Sequence, residues 1–216
     1  MLDYLPSLQK QKREDTFLVT IQDRRARQQS AVRQAILAAA RDIARADGWQ
    51  AVTIRKIADR IEYSTPVIYE HFPNKQGILM ALADQGFRLM LECFRQVASS
   101  ESDPVQALQR MAAAYWTFAW DYPELYQVMH GLDGIPFGTP DTPHEAQELF
   151  RLVEHQVTRL PGYHGAEAAV RADVDLLWAS LHGLVVLTMQ GRMAGGRARA
   201  DELLPLLATK FTRPRG

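Results

Sequence analysis

Apolar and small residues recur at helical spacing along most of the chain, and no sustained two-residue alternation marks a strand. From Ser30 the positions Val32, Ile36, Ala39, Ala40 and Ile43 fall on one helical face, and Gly48 after Asp47 supplies a stop. Thr53 is a good N-cap for a short second helix, in which Ile54, Ile57, Ala58 and Ile61 follow the i, i+3, i+4, i+7 rule and which ends near Glu62 and Tyr63. Ser64 caps a third helix. Pro66 sits in its first turn, where a missing N–H has no intrahelical partner to lose, and Pro73 closes it. Gln76 to Val97 reads as a long amphipathic helix, and Asp103 with Pro104 opens another that runs to about Asp121. Pro123 begins a shorter one through His130, after which "GLDGIPFGTPDTP" packs three glycines and three prolines into 13 residues and reads as an irregular loop. Two long helices at about 144–160 and 167–192 flank "PGYHG", and a short one starts at Asp201. Residues 1–29 show no clean period, end in "QDRRARQQ", and read as a mobile arm or frayed extension. The expected fold is all-α, with the arm or extension at 1–29, a helix-turn-helix domain at 30–75 and a helical domain at 76–216.

A chain of 216 residues at 47% hydrophobic can bury a substantial core. No run of about 18 apolar residues appears. Asp3 precedes any apolar block, so neither a spanning helix nor a signal peptide is expected, and the expected location is the cytoplasm, away from membranes. One cysteine, Cys93, cannot build an intramolecular disulfide or a cysteine-rich metal site and is expected to be a small core residue. The net charge of zero hides an imbalance: residues 1–75 hold 13 Lys and Arg against 9 Asp and Glu. A basic N-terminal third favours a polyanionic partner there, or simply a solvated surface.

The third helix is odd on its outer side. At about 100° per residue, Ile68 and Phe72 share the inward face, Glu70 points the opposite way, and Pro66 and Val67 lie beside it, with Tyr69 and His71 on the flanks. A merely solvated helix favours Lys, Glu, Gln or Ala at such sites. In a DNA major groove the residues present make chemical sense. Val67 and the Pro66 ring can touch thymine methyls, Thr65 can bond a base edge or a phosphate, and Tyr69 and His71 can reach backbone oxygens on either side. Lys75 and the N–H groups opening the next helix attract phosphate. Arg55 suits bidentate contact with a guanine, or else a phosphate contact or a surface ion pair. Glu70 either accepts from a cytosine amine or leans away.

The stretch "AILAAARDIARADGWQAVTIRKIADRIEYSTPVIYEHFPNKQGILMAL" resembles the N-terminal DNA-binding domain of TetR-type transcriptional regulators, over about Ala35 to Leu82. The likeness rests on the alanine run, Gly48, Thr53, the "IA" of the second helix, Ser64 and "YEHFPNK" at their spacing. It implies backbone contacts from Tyr69, His71 and Lys75, and places Arg55, Thr65, Pro66 and Val67 at or near base edges. The candidate DNA-binding set is therefore Thr53, Arg55, Ser64, Thr65, Pro66, Val67, Tyr69, His71 and Lys75. Two positions depart from the family pattern: Glu70 stands where a neutral or basic residue is usual, and Glu62-Tyr63 replaces a small, Gly-containing turn. "WDYPELYQVMHG" and "WASLHGLVVL" are similar to one subgroup of these regulators, with Trp178, His182 and Gly183 in the second stretch, which implies a C-terminal domain that binds a small molecule and forms the dimer.

Read on its own terms, the C-terminal part crowds Tyr115, Trp116, Phe118, Trp120, Tyr122 and Tyr126 into one segment, which serves as core or as an aromatic pocket lining. The candidate pocket residues are Trp116, Trp120, Tyr126, Met129, His130, Phe137, Trp178 and His182, His182 being either a ligand group or a hydrogen-bonded core histidine. His144, His155, His164 and His182 share no metal-ligand spacing with carboxylates, so neither metal nor cofactor is expected beyond an unidentified small-molecule effector. Val174 to Met189 is nearly all apolar around its circumference, which suits a four-helix homodimer interface made with the helix at 144–160, or a central core helix. The function expected is a one-component, ligand-responsive transcription repressor acting as a homodimer on a palindromic double-stranded DNA operator. A helical pocket enzyme is the rival from another class, but no nucleophile, base and orienting group stand at recognisable spacing. A structural DNA binder without sequence preference is the other rival, and has no use for an aromatic pocket.

Overall fold

The computed structural model describes residues 5–130, 139–140, 142–163 and 167–212, with side chains from Gln22 onward. Among the described residues there are nine α-helices, one 3₁₀ turn and no strand. The helices are α1 (Leu5–Asp47), α2 (Ile54–Arg60), α3 (Thr65–His71), α4 (Lys75–Ser100), α5 (Pro104–Asp121), α6 (Pro123–His130), α7 (His144–Thr158), α8 (Glu167–Met189) and α9 (Gly196–Thr212), with the 3₁₀ turn at Trp49–Ala51. The chain divides into two compact units, Met1–Ile78 and Leu79–Gly216, the boundary falling in the first turns of α4.

In the first unit, Ile36, Ala39, Ala40, Ile43 and Ala44 of α1 meet Trp49 and Val52, then Ile57 and Ala58 of α2, then Ile68 and Phe72 of α3, all buried. Each large side chain in that set contributes about 1.5–3 kcal/mol by leaving water. Gly48 makes the corner at the end of α1. Its φ of 80° and ψ of 164° lie in a region open essentially to glycine alone, and its N–H closes the helix on Ala44 O at 2.9 Å. Thr53 caps α2 with its side chain, accepting from the Lys56 N–H at 3.2 Å. Ser64 holds the N-cap position of α3, yet its hydroxyl makes no capping bond.

The first helix departs from the sequence expectation. It begins at Leu5 rather than near Ser30, and from Gln22 to Ala31 every side chain is exposed. A stretch without a buried face carries no apolar stripe, so periodicity does not announce residues 22–31, although their Gln, Arg and Ala favour helix.

In the second unit α5 is central, touching α6, α7, α8 and α9. Asp103 caps it, accepting from Val105 N–H at 3.0 Å, with Pro104 in the first turn. Gly86 of α4 allows a close approach of α6: a methyl in its place would stand 2.4 Å from Met129 Sδ. Arg88–Glu145 and Arg95–Glu148 ion pairs bridge α4 and α7 at the surface. The Trp116 indole donates to Asp201 at 2.8 Å and Arg197 stacks over Trp120 at 4.5 Å, fastening α5 to α9. α9 starts at Gly196, five residues before the expected Asp201. Cys93 is exposed rather than in the core. The expected irregular loop lies largely outside the described residues, which omit 131–138 and 141.

Two substitutions at the corners of the first unit should move stability in opposite directions. Gly48→Ala meets no atom within 4 Å, so its loss of about 1–3 kcal/mol comes from backbone strain alone. Glu62 adopts a φ of 59°, and Glu62→Gly should raise stability by about 0.5–1 kcal/mol, the relief of left-handed strain less the extra flexibility of the unfolded chain. Denaturant unfolding of both variants checks the pair, and a destabilised Glu62→Gly contradicts the turn geometry.

Candidate nucleic-acid interface and ligand cavity

The turn between α2 and α3 sets how α3 is presented. Tyr63 N–H bonds Ala58 O at 3.0 Å and Glu62 N–H bonds Asp59 O at 3.4 Å, with Glu62 left-handed between them. This is the Schellman arrangement, which glycine usually completes. Glu62 therefore keeps the turn of a Gly-containing segment at a cost in strain. Beyond it, Ile68 and Phe72 are 0% and 3% exposed. The Arg33 guanidinium covers the Phe72 ring at 4.3 Å and seals that side.

The rest of α3 faces outward. Pro66 and Glu70 are exposed, Thr65, Val67 and His71 are half-buried, and Tyr69 is 54% exposed, a large aromatic surface left to solvent. Ser64 is exposed at the helix start. On α2, Arg55 reaches into solvent with a loose 3.9 Å pairing to Asp59. The Thr53 hydroxyl oxygen accepts the capping bond, which leaves its O–H able to donate. Lys75 does more than expected. Its ammonium donates to the Trp49 carbonyl at 3.0 Å and ties the start of α4 to the 3₁₀ turn. Asn74 was not anticipated: its side chain caps α4 by accepting from Gly77 N–H at 2.9 Å.

The second unit holds a cavity of about 60 Å³ between α4, α5, α7 and α8, reached by His130 from the end of α6. Its walls are Phe87, Phe94, Leu108, Met111, Ala112, Tyr115, His130, Ala146, Leu149, Phe150, Val153, Val174, Leu177, Trp178 and Leu181. Of the expected pocket residues, His130 and Trp178 line it. Trp116 and Trp120 belong to the α5–α9 contact instead. Met129 packs on Gly86. Phe137 lies outside the described residues. Tyr126 and His182 are absent from the lining and join Tyr115 in a hydrogen-bonded chain: Tyr115 and Tyr126 hydroxyls are 3.0 Å apart, and Tyr126 bonds the half-buried His182 at Nδ1, 2.7 Å away. The aliphatic lining has no signal in the residue pattern, because a void follows from how side chains fail to fill space and not from their kind.

The electrostatics of this cluster favour neutrality. Burial, with the neighbouring His182 adding to it, pushes His130 down to about 3. Burial also lowers His182. Burial raises Tyr115 and Tyr126 above the usual tyrosine range. All four are uncharged at neutral pH, as an apolar surround demands.

A family described as "Bacterial regulatory proteins, tetR family" matches residues 36–82, and one described as "Tetracyclin repressor-like, C-terminal domain" matches residues 108–211, together more than two thirds of the chain. No curated protein sequence matches. Among solved structures, a protein of unknown function from Rhodococcus sp. RHA1 is 24% identical with a TM-score of 0.68, covering 84% of this chain and 93% of its own. A TetR-family transcriptional regulator from Streptomyces coelicolor is 20% identical with a TM-score of 0.62, covering 83% and 96%. RolR, in complex with the ligand resorcinol, is 14% identical with a TM-score of 0.56, covering 88% and 91%. These structures share the fold. With the helix-turn-helix and the C-terminal domain matched in order along one chain, this protein belongs to the TetR family of bacterial transcriptional regulators.

Proposed function

We propose that the chain is a ligand-responsive, cytoplasmic repressor that works as a homodimer on a palindromic operator. The observation that carries the DNA reading is the division of α3 into two faces. Ile68 and Phe72 are spent on the core, while Pro66 and Tyr69 are exposed and Val67 is only half-buried, more apolar surface than the outer side of a merely solvated helix carries. In a major groove Val67 and Pro66 meet thymine methyls, Thr65 meets a base edge, and Tyr69 and His71 meet phosphates. Glu70 allows one specific base contact, acceptance from a cytosine amine, and otherwise repels phosphate.

The dimer reading rests on α8. Val170, Val174, Leu177, Leu181, Leu184 and Val185 are buried within the chain, yet the other side of the helix leaves Leu176 57% and Leu187 43% exposed. Ala172 and Ala179 are exposed on that same side and Gly183 is half-buried, a strip of small and apolar residues at helical spacing. By length and composition α8 is apolar enough to cross a membrane. A second copy accounts for that composition too, since two such strips bury each other about a twofold axis, with α7 alongside. The cavity supports ligand response: it sits in the C-terminal unit, its lining is apolar, and a neighbour of the same fold is known in complex with resorcinol. Binding there acts on DNA only through a difference in ligand affinity between dimer shapes. The tyrosines and histidines of the cluster are held neutral, and Tyr115, Tyr126 and His182 are bonded to one another, which suits recognition better than catalysis.

Tyr69→Ala should weaken binding to a selected operator about tenfold, roughly 1.4 kcal/mol, with little change in melting temperature, because more of the residue faces solvent than the core. Fluorescence anisotropy on labelled duplex reads the loss, and full affinity in the variant contradicts the orientation of α3. Leu176→Glu combined with Leu187→Glu should turn a dimer into a folded monomer in sedimentation velocity and lower operator affinity by about 100-fold or more. A wild-type chain that sediments as a monomer at micromolar concentration removes the dimer reading.

A further inference from the structure

The ring at the end of α6 carries a polar atom that no described residue satisfies. His130 Nε2 is buried and, among the described residues, has no hydrogen-bond partner. Its surroundings are crowded all the same. The rings of Tyr126, His182, Phe87, Tyr115 and Trp178 stand 4.8, 5.2, 5.9, 6.1 and 6.1 Å from the imidazole, centre to centre. The other polar groups of this cluster are committed to one another: Tyr115 to Tyr126, Tyr126 to His182 Nδ1, and Trp178 to Tyr115. Trp120 Nε1, Gln76 Nε2 and Gln85 Oε1 are also buried and unpaired, but none of these residues lines the cavity. His130 does. A buried polar atom without a partner is costly, and a native fold that keeps one at the wall of a void has a place for a visiting group.

We propose that the cavity takes a small uncharged molecule, one ring in size, with an apolar body and a single hydroxyl that pairs with His130 Nε2. The inference rests on the ligand-responsive reading of the cavity and names the chemistry of the ligand. A hydroxyl both donates and accepts, so it serves either tautomer of the imidazole. A charged ligand is disfavoured on two grounds. Among the described residues no Lys, Arg, Asp or Glu lines the cavity, and an ion brought in without a partner loses its hydration for nothing. Nor does His130 supply a positive charge, since burial and His182 keep it neutral down to about pH 3. Size follows from the void. At about 60 Å³ it is smaller than the roughly 150 Å³ at which a dry apolar cavity accepts benzene. Entry of one ring therefore displaces a wall residue. Phe150 is placed to give way: it is half-buried, meets Trp178 edge-on at 6.4 Å, and together with Ala146 is shared with an adjoining, more polar recess of about 340 Å³.

The test is a calorimetric titration of the full chain, free of DNA, with phenol, benzene and benzoate. Phenol should bind at least about tenfold more tightly than benzene, the factor expected for pairing an otherwise unsatisfied buried group, and benzoate should show no saturable binding. His130→Phe, which keeps a ring but removes the nitrogen, should bring phenol and benzene within about twofold of each other. Benzene equalling phenol, benzoate binding as well as phenol, or no phenol binding at all overturns the proposal on the wild-type protein alone. A folded His130→Phe that keeps the preference overturns the role of Nε2. Operator affinity is measured separately with and without phenol. Phenol binding that leaves operator affinity unchanged counts against ligand response and not against the ligand class, whereas an operator that responds to other molecules in the absence of phenol binding counts against the ligand class alone.

Discussion

The burial of Ile68 and Phe72 is the interaction on which the reading head depends. These two side chains fix the rotation of α3 about its own axis, and with Arg33 stacked on Phe72 the inward face is closed to water. A helix of seven residues is too short to hold its shape by its own hydrogen bonds. It borrows order from that contact and from the left-handed turn at Glu62. A slip of one residue, about 100° of rotation, would bring the Tyr69 side toward the core and turn Ile68 outward. The outward set of Thr65, Pro66, Val67 and Tyr69 is thus a consequence of what the inward pair does. Lys75 continues the same logic: its bond to the Trp49 carbonyl ties the chain leaving α3 to the corner that Gly48 makes.

The C-terminal unit uses apolar surface in three ways, and α8 takes part in each. Val174, Leu177, Trp178 and Leu181 wall the cavity, Val170, Leu184 and Val185 pack within the unit, and Leu176 and Leu187 remain uncovered. A helix with apolar residues on every side needs a neighbour in every direction, and one chain supplies only some of them. Cavity and uncovered strip lie on one rigid element, so a ligand that moves α8 from within also moves the surface proposed to meet a second copy. The neutral chain of Tyr115, Tyr126 and His182 stiffens the cavity wall without placing a charge there.

Much of this was legible in the residues because local signals and apolar period agreed. Thr53, Asp103, Pro104 and Pro123 mark helix starts that the structure keeps, and the spacing of Ile68 and Phe72 sets the rotation of α3 that the structure shows. What escaped has physical causes. From Gln22 to Ala31 α1 has no buried face, so nothing in the period of that stretch reports it. Cys93 was assigned to the core by residue type, but Phe87, Met90, Leu91 and Phe94 set the buried face of α4, and position 93 falls about 100° from Phe94 on the side away from Leu91. Trp116 and Trp120 read as pocket residues because they are aromatic, whereas polar and cationic partners on α9 hold them elsewhere. His130 was singled out in the sequence, but only packing shows that its Nε2 is left unpaired.

The central claim, that the outward face of α3 meets DNA twice in each assembly, is tested most directly by hydroxyl-radical footprinting of the full chain on duplexes it enriches from a random pool. The account predicts enrichment of an inverted repeat and two protected patches on one side of the duplex, their centres one helical turn of about 10 base pairs, or a small multiple of it, apart. A single protected patch, or no enrichment of any sequence over the starting pool, would contradict it.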